Sequence, residues 1–377
     1  MYVIARLYLC LDMPNRNAPV CMFFPLLLRH SARSLPKSHH YSTSSITSSH
    51  SIFLSKSTDP YFNLTFEDWL FRHKAPNDPL LLIYRDSPCV IIGRNQNPWK
   101  EVNLAASRQA RIPFIRRRSG GGTVYHDLGN TNFSIHVPRT TFDRRATAQI
   151  ILRAVRELGI DANVNERNDI CVGKEKMSCS AYKIVNNRAY HHGTMLISTR
   201  LDALGNLLRS NKETMVTKGV ASVRSPVCNL RQFSPNISHD TFVDAVVREF
   251  QKEYGVTDKA CEVNDSDDIT NIDYIRTGMA ELPSWDWAYG QTPEFEYGIR
   301  RSFLWGEIQV EIHSRHGVVT ACQFEILKGR DTVLSEALRH LGKALEGKRY
   351  AFTEEIEGVN EERCLETWEW LKSQMDS

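Results

Sequence analysis

Apolar residues recur along this chain in two patterns, one with a spacing of three and four residues and one that alternates with polar residues. The first pattern is typical of amphipathic helices, which we predict at residues 60–71, 147–158, 242–250 and 333–345. Short apolar or alternating runs between turn residues are typical of strands, which we predict at residues 80–84, 89–92, 112–115, 132–137, 189–197, 308–312 and 318–326. Helices and strands in this order predict an α+β fold, with a mostly antiparallel sheet flanked by helices.

The segment WDWAYGQTP, residues 285–293, with two tryptophans and a glycine and a proline near its end, marks a boundary after which the pattern begins again. Two strands and one helix follow it within about eighty residues, the size of a small domain. We therefore predict a larger domain over residues 56–295 and a small C-terminal α/β domain over residues 300–377. The acidic and polar residues 262–271 before the boundary are predicted to form a loop.

The first 55 residues differ in composition from the rest of the chain. Asp12 is their only acidic residue, whereas arginine and lysine are frequent and residues 30–50 are rich in serine and histidine. Such a composition is typical of a mitochondrial transit peptide, so we predict that residues 1–55 lie outside the fold and that order begins near Asp59. A disordered tail without a targeting role is the alternative. The apolar run at residues 20–28 is too short to span a bilayer, and we predict no contact with a membrane.

The overall composition is that of an ordinary globular protein. Of 377 residues, 41% are hydrophobic and 24% are charged, and the net charge of +3 is too small to indicate a nucleic-acid partner. The nine cysteines are odd in number and scattered, and no CxxC pair is present, so a zinc site is not indicated. Reduced thiols fit a reducing compartment such as the mitochondrial matrix. We expect a monomer that binds no nucleic acid.

The most distinctive motif is RRRSGGGTVYHDLGN at residues 116–130. Each arginine offers a planar, always-charged donor fork suited to carboxylate and phosphate. Consecutive glycines allow backbone N–H groups to approach an anion, because no Cβ stands in the way. The motif therefore predicts a pocket for a bulky anion such as a nucleotide. Solvated arginines beside a plain glycine loop are the structural alternative.

Four further segments carry candidate chemistry. They are LLLIYRDSPCVIIGRNQNPW at residues 80–99, RNDICVGKEKMSCSAYK at residues 167–183, YHHGTMLI at residues 190–197 and KGVASVRSPVCNL at residues 218–230. Together with the glycine motif, and in this order, they resemble the sequence motifs of the lipoate–protein ligase A family. The resemblance extends from about Asp59 to the C-terminus and includes the boundary segment 285–293.

The resemblance implies a catalytic domain with the fold shared by biotin and lipoate ligases over residues 56–295, followed by the family's C-terminal accessory domain. It implies an ATP-dependent ligase in which the lipoate carboxylate attacks the ATP α-phosphate to give lipoyl-AMP, while Mg²⁺ screens the phosphates. A lysine amine of the acceptor then attacks the activated carbonyl. The implied acceptors are the lipoyl domains of 2-oxo-acid dehydrogenase E2 subunits and the glycine-cleavage H protein, in the mitochondrial matrix.

The same resemblance assigns roles to individual residues. Lys176 is the implied catalytic residue, because a compact ammonium neutralises charge that develops on the acyl carbonyl and the phosphate. The implied ATP-binding residues are Arg117, Gly122, Thr123, Val124, Tyr125, Asp169 and Lys176. The implied lipoate-binding residues are Ser119, Lys176, Lys183 and His192. Arg116 and Arg118 would support Arg117, and no metal ligand is assigned.

Two positions depart from the family pattern, Cys179 where glycine is usual and Pro226 where arginine is common. Cys179 is also a candidate nucleophile that would form an acyl thioester, as in octanoyltransferases that use a cysteine. A second alternative is an ATP-independent lipoyl or octanoyl amidotransferase that takes its acyl group from H protein or acyl-CoA. A third is a catalytically inactive protein that only binds lipoyl domains, which the retained Lys176 and the glycine motif argue against.

Overall fold

The computed structural model describes residues 50–208, 210–328, 331–353 and 355–376. Most of the segment predicted to be a transit peptide therefore lies outside the described residues. Strand β1 (Ile52–Ser55) nevertheless belongs to the segment that we placed outside the fold, and its first two side chains are fully buried. Order thus begins before Asp59. The strand was missed because four residues are too few to show a reliable alternating pattern. None of the helices in the described ranges combines the length and the hydrophobicity that a membrane span requires.

A six-stranded mixed sheet forms the centre of the molecule. In spatial order its strands are β10 (Ser178–Val185), β11 (Arg188–Leu196), β6 (Asn130–Pro138), β2 (Leu80–Tyr84), β1 (Ile52–Ser55) and β13 (Cys261–Val263). Neighbouring strands are antiparallel from β10 to β2 and parallel from β2 through β1 to β13. The predicted sheet is therefore confirmed, with two short parallel strands added at one edge.

Helices cover both faces of this sheet. They are α4 (Arg144–Glu157) and α6 (His239–Tyr254) on one face, and α1 (Pro60–His73) and α8 (Asp273–Glu281) on the other. Because side chains alternate along a strand, Leu81 of β2 packs in the first of these cores and Leu82 in the second. Helix α1 begins at Pro60 because the Asp59 carboxylate accepts the Tyr61 N–H at 2.8 Å.

Two small sheets hold the segments that the sequence singled out. One has the order β4 (Phe114–Arg116), β3 (Cys89–Ile92), β5 (Val124–His126), and the other has the order β7 (Asn163–Val164), β8 (Ile170–Val172), β9 (Glu175–Lys176). The glycine loop connects β4 to β5, and Lys176 ends the tight hairpin of β8 and β9. Gly173 in the hairpin turn has a φ of 58°, a left-handed value that favours glycine. Each of these two segments is therefore held in place by strands.

The C-terminal part of the chain forms a four-stranded antiparallel sheet packed against two helices. The strands are β12 (Met215–Thr217), β14 (Phe295–Phe303), β15 (Gly306–Arg315) and β16 (Val318–Ile326), and the helices are α10 (Thr332–Leu345) and α11 (Glu362–Asp376). Strand β12 comes from the middle of the chain, and the core of this sheet continues into Val90 and Trp99. The boundary predicted at residues 295–300 therefore falls inside β14, and the two predicted domains share a strand and a core.

Every helix and strand that we predicted is present; three strands have the predicted ends, and the other elements have ends shifted by a few residues. The loop prediction for residues 262–271 is wrong in part, because β13 ends there and α7 (Asp267–Thr270) follows. Among the longer elements, strands β10 and β14 and helices α8 and α11 were missed, and so were the short strands β1, β5, β7, β8, β9, β12 and β13. Strand β10 begins with small polar residues and is only half-buried, so its apolar pattern is weak. The remaining elements are α2 (Pro98–Glu101), α3 (Leu104–Gln109), α5 (Leu201–Leu207), α9 (Trp285–Ala288) and a 3₁₀ turn (Leu230–Gln232).

Candidate active site

Two adjoining cavities lie where the glycine loop faces the Lys176 hairpin. The first measures about 160 Å³ and its lining includes the apolar side chains of Leu64 and Ile91. The second measures about 430 Å³ and its lining is more apolar, with Leu196 and Leu204. Both cavities are lined by Thr123, Val124, Lys176, Cys179, Thr194, Ala221, Ser222 and Val223. The predicted catalytic lysine therefore lies where the two cavities meet.

Glycines in this region are required by the close approach of two backbone segments. Gly121 has a φ of 89°, and a Cβ on it would lie 2.8 Å from Arg117 Nη2 and 3.0 Å from Ala181 Cβ. A Cβ on Gly93 would lie 2.0 Å from the carbonyl oxygen of Gly121. The turn after β3 and the glycine loop therefore pack backbone against backbone, which joins two separate sequence motifs in one wall.

Arg116 is fully buried and lines neither cavity. Its guanidinium donates to the Ala288 carbonyl oxygen at 2.8 and 3.0 Å, to the Gln96 carbonyl oxygen at 2.7 Å and to Thr292 Oγ1 at 3.0 Å. Burial lowers the pKa of Arg116 to about 9. The side chain ties β4 to the boundary segment 285–293, which is a structural role.

Arg117 lines the first cavity, but its guanidinium is already occupied. Nε donates to Ser119 Oγ at 2.9 Å, and Nη2 donates to the carbonyl oxygens of Gly120 and, at 2.9 Å, of Gly122. Burial lowers the pKa of Arg117 to about 10. Arg117 therefore holds the glycine loop in shape, and the phosphate contact expected from the motif would use Nη1, whose bond to the Ile91 carbonyl oxygen is 3.4 Å long, or displace one of the shorter bonds.

Lys176 has its backbone clamped to a neighbouring segment of the chain. Its N–H donates to the Pro226 carbonyl oxygen at 2.9 Å, and its carbonyl oxygen accepts the Cys228 N–H at 3.1 Å. Its Nζ lies 3.3 Å from Asp169 Oδ2. Burial acts to lower the pKa of Lys176, but Cys179 and Asp169 outweigh burial and raise it, which favours the ammonium form. A positive charge is therefore fixed at the junction of the two cavities.

Asp169 is held beside Lys176 by the start of β10. Its Oδ1 accepts the Ser180 N–H at 3.2 Å, and the carbonyl oxygen of Asn168 accepts Ser180 Oγ at 3.0 Å. Asn168 adopts a φ of 63°, which turns the chain at this point. Among the described residues that line the first cavity, Asp169 is the only one with a carboxylate. It is therefore the lining residue best suited to a cation carried by a ligand.

A chain of three buried polar groups reaches the first cavity from helix α1. Glu67 Oε1 lies 3.1 Å from His192 Nδ1, and His192 Nε2 lies 2.8 Å from Ser119 Oγ. Because the Glu67 carboxylate can only accept, the proton of His192 Nδ1 points toward it, and Nε2 faces the Ser119 hydroxyl, which also bonds Arg117 Nε–H and Tyr190. Sequence analysis singled out Ser119 and His192 but missed Glu67. The available signal was a carboxylate three residues after Leu64, on the apolar face of the helix.

Lys183 and Arg118 converge on the buried carboxylate of Asp68. Lys183 Nζ pairs with one oxygen of Asp68, and the other oxygen accepts Arg72 Nε at 2.8 Å and the Tyr274 hydroxyl; Arg118 Nε lies 3.6 Å away. Burial acts to raise the pKa of Asp68, but these partners, above all Lys183, lower it to about 2. Neither Lys183 nor Arg118 lines either cavity, so the predicted contact of Lys183 with the acyl carboxylate is not part of this arrangement.

The other predicted nucleotide contacts surround the junction. Gly122, Thr123 and Val124 line the first cavity, and Thr123, Val124 and Tyr125 line the second. The Thr123 N–H donates to Ser222 Oγ at 3.0 Å, which attaches the glycine loop to the segment 218–230. Ser222 lines both cavities, although nothing in its motif distinguished it from its neighbours.

Cys179 lines both cavities beside Lys176, and its thiol is free. Its N–H donates to Thr194 Oγ1 at 3.1 Å, within the pairing of β10 and β11. The backbone at this position does not have a positive φ, so a side chain is accommodated without strain where the family usually has glycine. A nucleophilic role for the thiol stays a prediction.

One grouping of metal-capable side chains occurs in the described ranges, formed by Asp86, Cys89 and His126, all of them buried. The oxygens of Asp86 are already bonded, Oδ1 to Asn63 Nδ2 and Oδ2 to His126 Nδ1, both at 2.8 Å. Burial raises the pKa of Cys89 well above its usual range, which disfavours the thiolate that a metal requires. We therefore assign these three buried side chains a structural role in the packing beneath strand β5.

Ligands in the two cavities can react with each other only at their shared wall, next to the ammonium of Lys176. Two adjoining cavities with a cationic shared wall suit an enzyme that joins two substrates. Residues 59–251 match the model of the family "Lipoyl protein ligase A/B catalytic domain". Lipoate-protein ligase A of Psychrobacter cryohalolentis is 36% identical over 303 residues, which cover 79% of this chain and 88% of that protein. The chain belongs to the lipoate–protein ligase A family and is an enzyme of the ligase class.

Solved structures agree with this assignment. P. falciparum LipL1 in complex with lipoate is 26% identical with a TM-score of 0.57, over 85% of this chain and 99% of that chain. Lipoate-protein ligase A bound with ATP is 25% identical with a TM-score of 0.52, over 63% of this chain and 96% of that chain. The predicted fold, an α+β catalytic unit followed by a smaller C-terminal unit, is confirmed.

Proposed function

We propose that this protein is an ATP-dependent lipoate–protein ligase that forms lipoyl-AMP and then transfers the lipoyl group to a lysine of an acceptor protein. The observation that carries the proposal is the position of Lys176 at the shared wall of two cavities. An acyl group in one cavity and a nucleotide in the other would meet at its ammonium. Two similar proteins support both ligands, since one is bound to lipoate and the other to ATP.

The lining of each cavity favours one ligand. The first cavity combines the apolar side chains of Leu64 and Ile91 with the polar groups of Lys176 and His192, which suits an apolar lipoyl tail with a carboxylate head. The second cavity is larger and its lining includes Leu204, which suits the adenosine moiety. The glycine loop borders both ligands and would contact the phosphate through its backbone.

In the first half-reaction, a carboxylate oxygen of lipoate attacks the α-phosphorus of ATP. An O–P bond forms, and pyrophosphate leaves with the electrons of the bond that breaks. Lys176 neutralises negative charge on the carboxylate and the phosphate, which stabilises the transition state. Mg²⁺ would arrive with the phosphates of ATP, and Asp169 would supply one oxygen ligand, because Mg²⁺ prefers carboxylate and phosphate oxygens.

In the second half-reaction, the acceptor amine attacks the acyl carbonyl and AMP leaves. The mixed anhydride is already activated, so no covalent enzyme intermediate is required. We propose the lipoyl domains of 2-oxo-acid dehydrogenase E2 subunits and the H protein as acceptors, and the mitochondrial matrix as the location. Family membership supports the acceptors, and the basic, acid-poor N-terminal segment supports the location.

The test uses the full-length chain with apo lipoyl domain, free lipoate and Mg²⁺, with and without ATP, and weighs the acceptor by mass spectrometry. We expect the lipoyl mass gain only when ATP is present. A gain from octanoyl- or lipoyl-H protein without ATP, and none from free lipoate with ATP, would overturn the proposal in favour of an amidotransferase. The variant Lys176→Ala serves as the negative control for enzyme-dependent transfer.

A further inference from the structure

We propose that the side-chain amide of Gln96 is a positioning group that sets the separation of the glycine loop and the segment 218–230 at the junction of the two cavities. The inference rests on the proposed function and adds to it a residue that contacts neither substrate. Gln96 is fully buried and lines neither cavity. It lies in the turn after β3, which packs backbone against backbone with the glycine loop.

The amide of Gln96 uses every hydrogen-bonding position that it has. Its Oε1 accepts the Gly93 N–H at 2.9 Å and the Thr123 hydroxyl at 3.0 Å. Its Nε2 donates to the Val220 carbonyl oxygen at 3.2 Å and to Ser222 Oγ at 3.0 Å. A primary amide offers two donors and two acceptor sites, and all four are used here. The Gly93 N–H and the Val220 carbonyl oxygen also determine which end of the amide carries the oxygen.

Gln96, Thr123 and Ser222 form a closed ring of hydrogen bonds. The Thr123 N–H donates to Ser222 Oγ at 3.0 Å, and both residues are bonded to the Gln96 amide. The three members belong to the turn after β3, the glycine loop and the segment 218–230, so the ring joins three sequence motifs. No member can move without stretching two of the bonds. Because Thr123 and Ser222 line both cavities, the ring sets the width of the junction.

The ring also orients the hydroxyl of Ser222. A hydroxyl oxygen has two acceptor lone pairs and one proton. Gln96 Nε2 and the Thr123 N–H both donate to Ser222 Oγ, so they occupy its two lone pairs. Ser222 can therefore serve a ligand only as a donor. A hydroxyl donor in the shared wall suits the carboxylate and phosphate oxygens that react there.

The two loops have little regular structure of their own to hold them in place. Residues 120–122 are glycines, which leave the backbone free to adopt many conformations. Residues 218–226 contain no helix or strand, and the Val223 side chain is 55% exposed. A displacement of about 1 Å at a reacting centre can lower a rate by about 10²-fold. Loss of the ring should therefore lower the rate of reaction more than the affinity for either substrate.

The test compares Gln96→Met with the parent protein on the full chain. Lipoate-dependent exchange of pyrophosphate into ATP reports the first half-reaction, and single-turnover transfer from supplied lipoyl-AMP to apo lipoyl domain reports the second. Both reactions take place at the junction, so both rates should fall by about 10²-fold. The KM values for ATP and lipoate should rise by less than about threefold, because no contact with a substrate is removed.

Gln291→Met is the matched control. The Gln291 amide also bonds the turn after β3, where its Oε1 accepts Arg94 Nη2 at 2.8 Å, and its Nε2 donates to the Asp286 carbonyl oxygen at 3.0 Å. These bonds join the turn to the boundary segment 285–293, and Gln291 lines neither cavity. The control should keep both rates within about twofold of the parent, the size of a substitution that removes no required group.

A double variant separates positioning from a general loosening of the fold. Ser222→Ala removes the hydroxyl of the ring at a half-buried position and should slow both half-reactions by about tenfold or more. If Gln96 acts through Ser222, adding Ser222→Ala to Gln96→Met should slow the reactions by no more than about a further threefold, whereas independent losses multiply. Urea unfolding establishes that each variant is folded under the conditions of the assay.

Rates of Gln96→Met within about threefold of the parent would overturn the proposal, and so would losses that multiply in the double variant. If Gln96→Met did not fold, Thr123→Val would replace it, because valine keeps the shape of threonine and breaks the ring from the side of the glycine loop. If the parent protein showed no exchange, the ligase proposal would fail. The ring would then be judged alone, by whether Gln96→Met slows transfer from supplied lipoyl-AMP.

Discussion

Two cationic segments border the same cavities, yet they use their charges in opposite ways. In the arginine–glycine segment (residues 116–122), Arg116 and Arg117 donate to backbone carbonyls and hydroxyls of the protein itself. In the lysine segment (residues 169–180), Lys176 pairs with one carboxylate and faces both cavities. Burial lowers the pKa of the two arginines, whereas Cys179 and Asp169 outweigh burial and raise the pKa of Lys176.

The difference shows that the density of charge in a motif does not reveal where the charge acts. A buried guanidinium has five N–H donors and satisfies several carbonyl oxygens that would otherwise be unpaired. A compact ammonium at an opening remains available to a ligand. The arginine–glycine segment therefore shapes the wall of the site, and the lysine segment supplies the charge for the chemistry.

The largest expected effect is on activity, in the lysine segment. Lys176→Ala should lower the rate of lipoyl-AMP formation by about 10²–10³-fold, because it removes the group that neutralises the transition state. Pyrophosphate exchange measures this rate. Urea unfolding should place the variant's free energy of unfolding within about 1 kcal/mol of the parent, since Asp169 keeps its bond from the Ser180 N–H. An unchanged rate would contradict the assignment.

The arginine–glycine segment should give the opposite result, a loss of stability. Arg116→Gln leaves the buried carbonyl oxygens of Ala288 and Gln96 without their donor, so the free energy of unfolding should fall by roughly 3 kcal/mol. Arg145→Gln is the control, because Arg145 is exposed on α4 and should change stability by less than about 0.5 kcal/mol. Equal free energies of unfolding for Arg116→Gln and the control would contradict the structural role of Arg116.

A smaller effect is expected at Asp68, which holds Lys183 away from the cavities. Its pKa of about 2 in the folded protein lies below the unfolded value of about 4, so its charge stabilises the fold above about pH 4 and this contribution is lost as the pH falls toward 2. Asp68→Asn should cost roughly 2 kcal/mol at pH 7 and progressively less below pH 4. Urea unfolding across this pH range measures the difference. A difference that does not vary with pH would rule out the ion pairs as its source.

The smallest effect is expected at Cys179. Cys179→Ala should change the rates of both half-reactions by no more than about twofold, the size of a substitution that removes no required group. Mass spectrometry of the parent protein with lipoyl-AMP should show no acyl adduct on the chain. A loss of transfer together with an acyl adduct on Cys179 would support the thioester alternative instead.

Local pattern placed several of the strands around the site, but not strand β10 or the β8–β9 hairpin that carries Lys176. The apolar runs at Leu80–Tyr84 and Cys89–Ile92 were predicted to the residue, because turn residues bound them on both sides. The resemblance to a family then indicated Lys176, and the structure places it at the junction. These predictions depended only on contiguous stretches of sequence, which determine local structure.

The partners of charged side chains could not be predicted in this way. Glu67 and His192 are 125 residues apart, and Lys183 and Asp68 are 115 residues apart, so only the folded sheet brings each pair together. The donors of Arg116 reach Ala288, 172 residues along the chain. Whether an arginine supports a loop or binds a ligand depends on such long-range partners, and a motif does not contain them.

The most direct test of the contrast between the two segments is a crystal structure with a stable analogue of lipoyl-AMP. The distances to measure run from Lys176 Nζ and from the Arg117 guanidinium to the acyl and phosphate oxygens of the analogue. We predict that Lys176 Nζ lies within about 3 Å of one of these oxygens, and that Arg117 remains bonded to the carbonyl oxygens of Gly120 and Gly122. A phosphate held by the Arg117 guanidinium, with Lys176 still paired only to Asp169, would contradict this account.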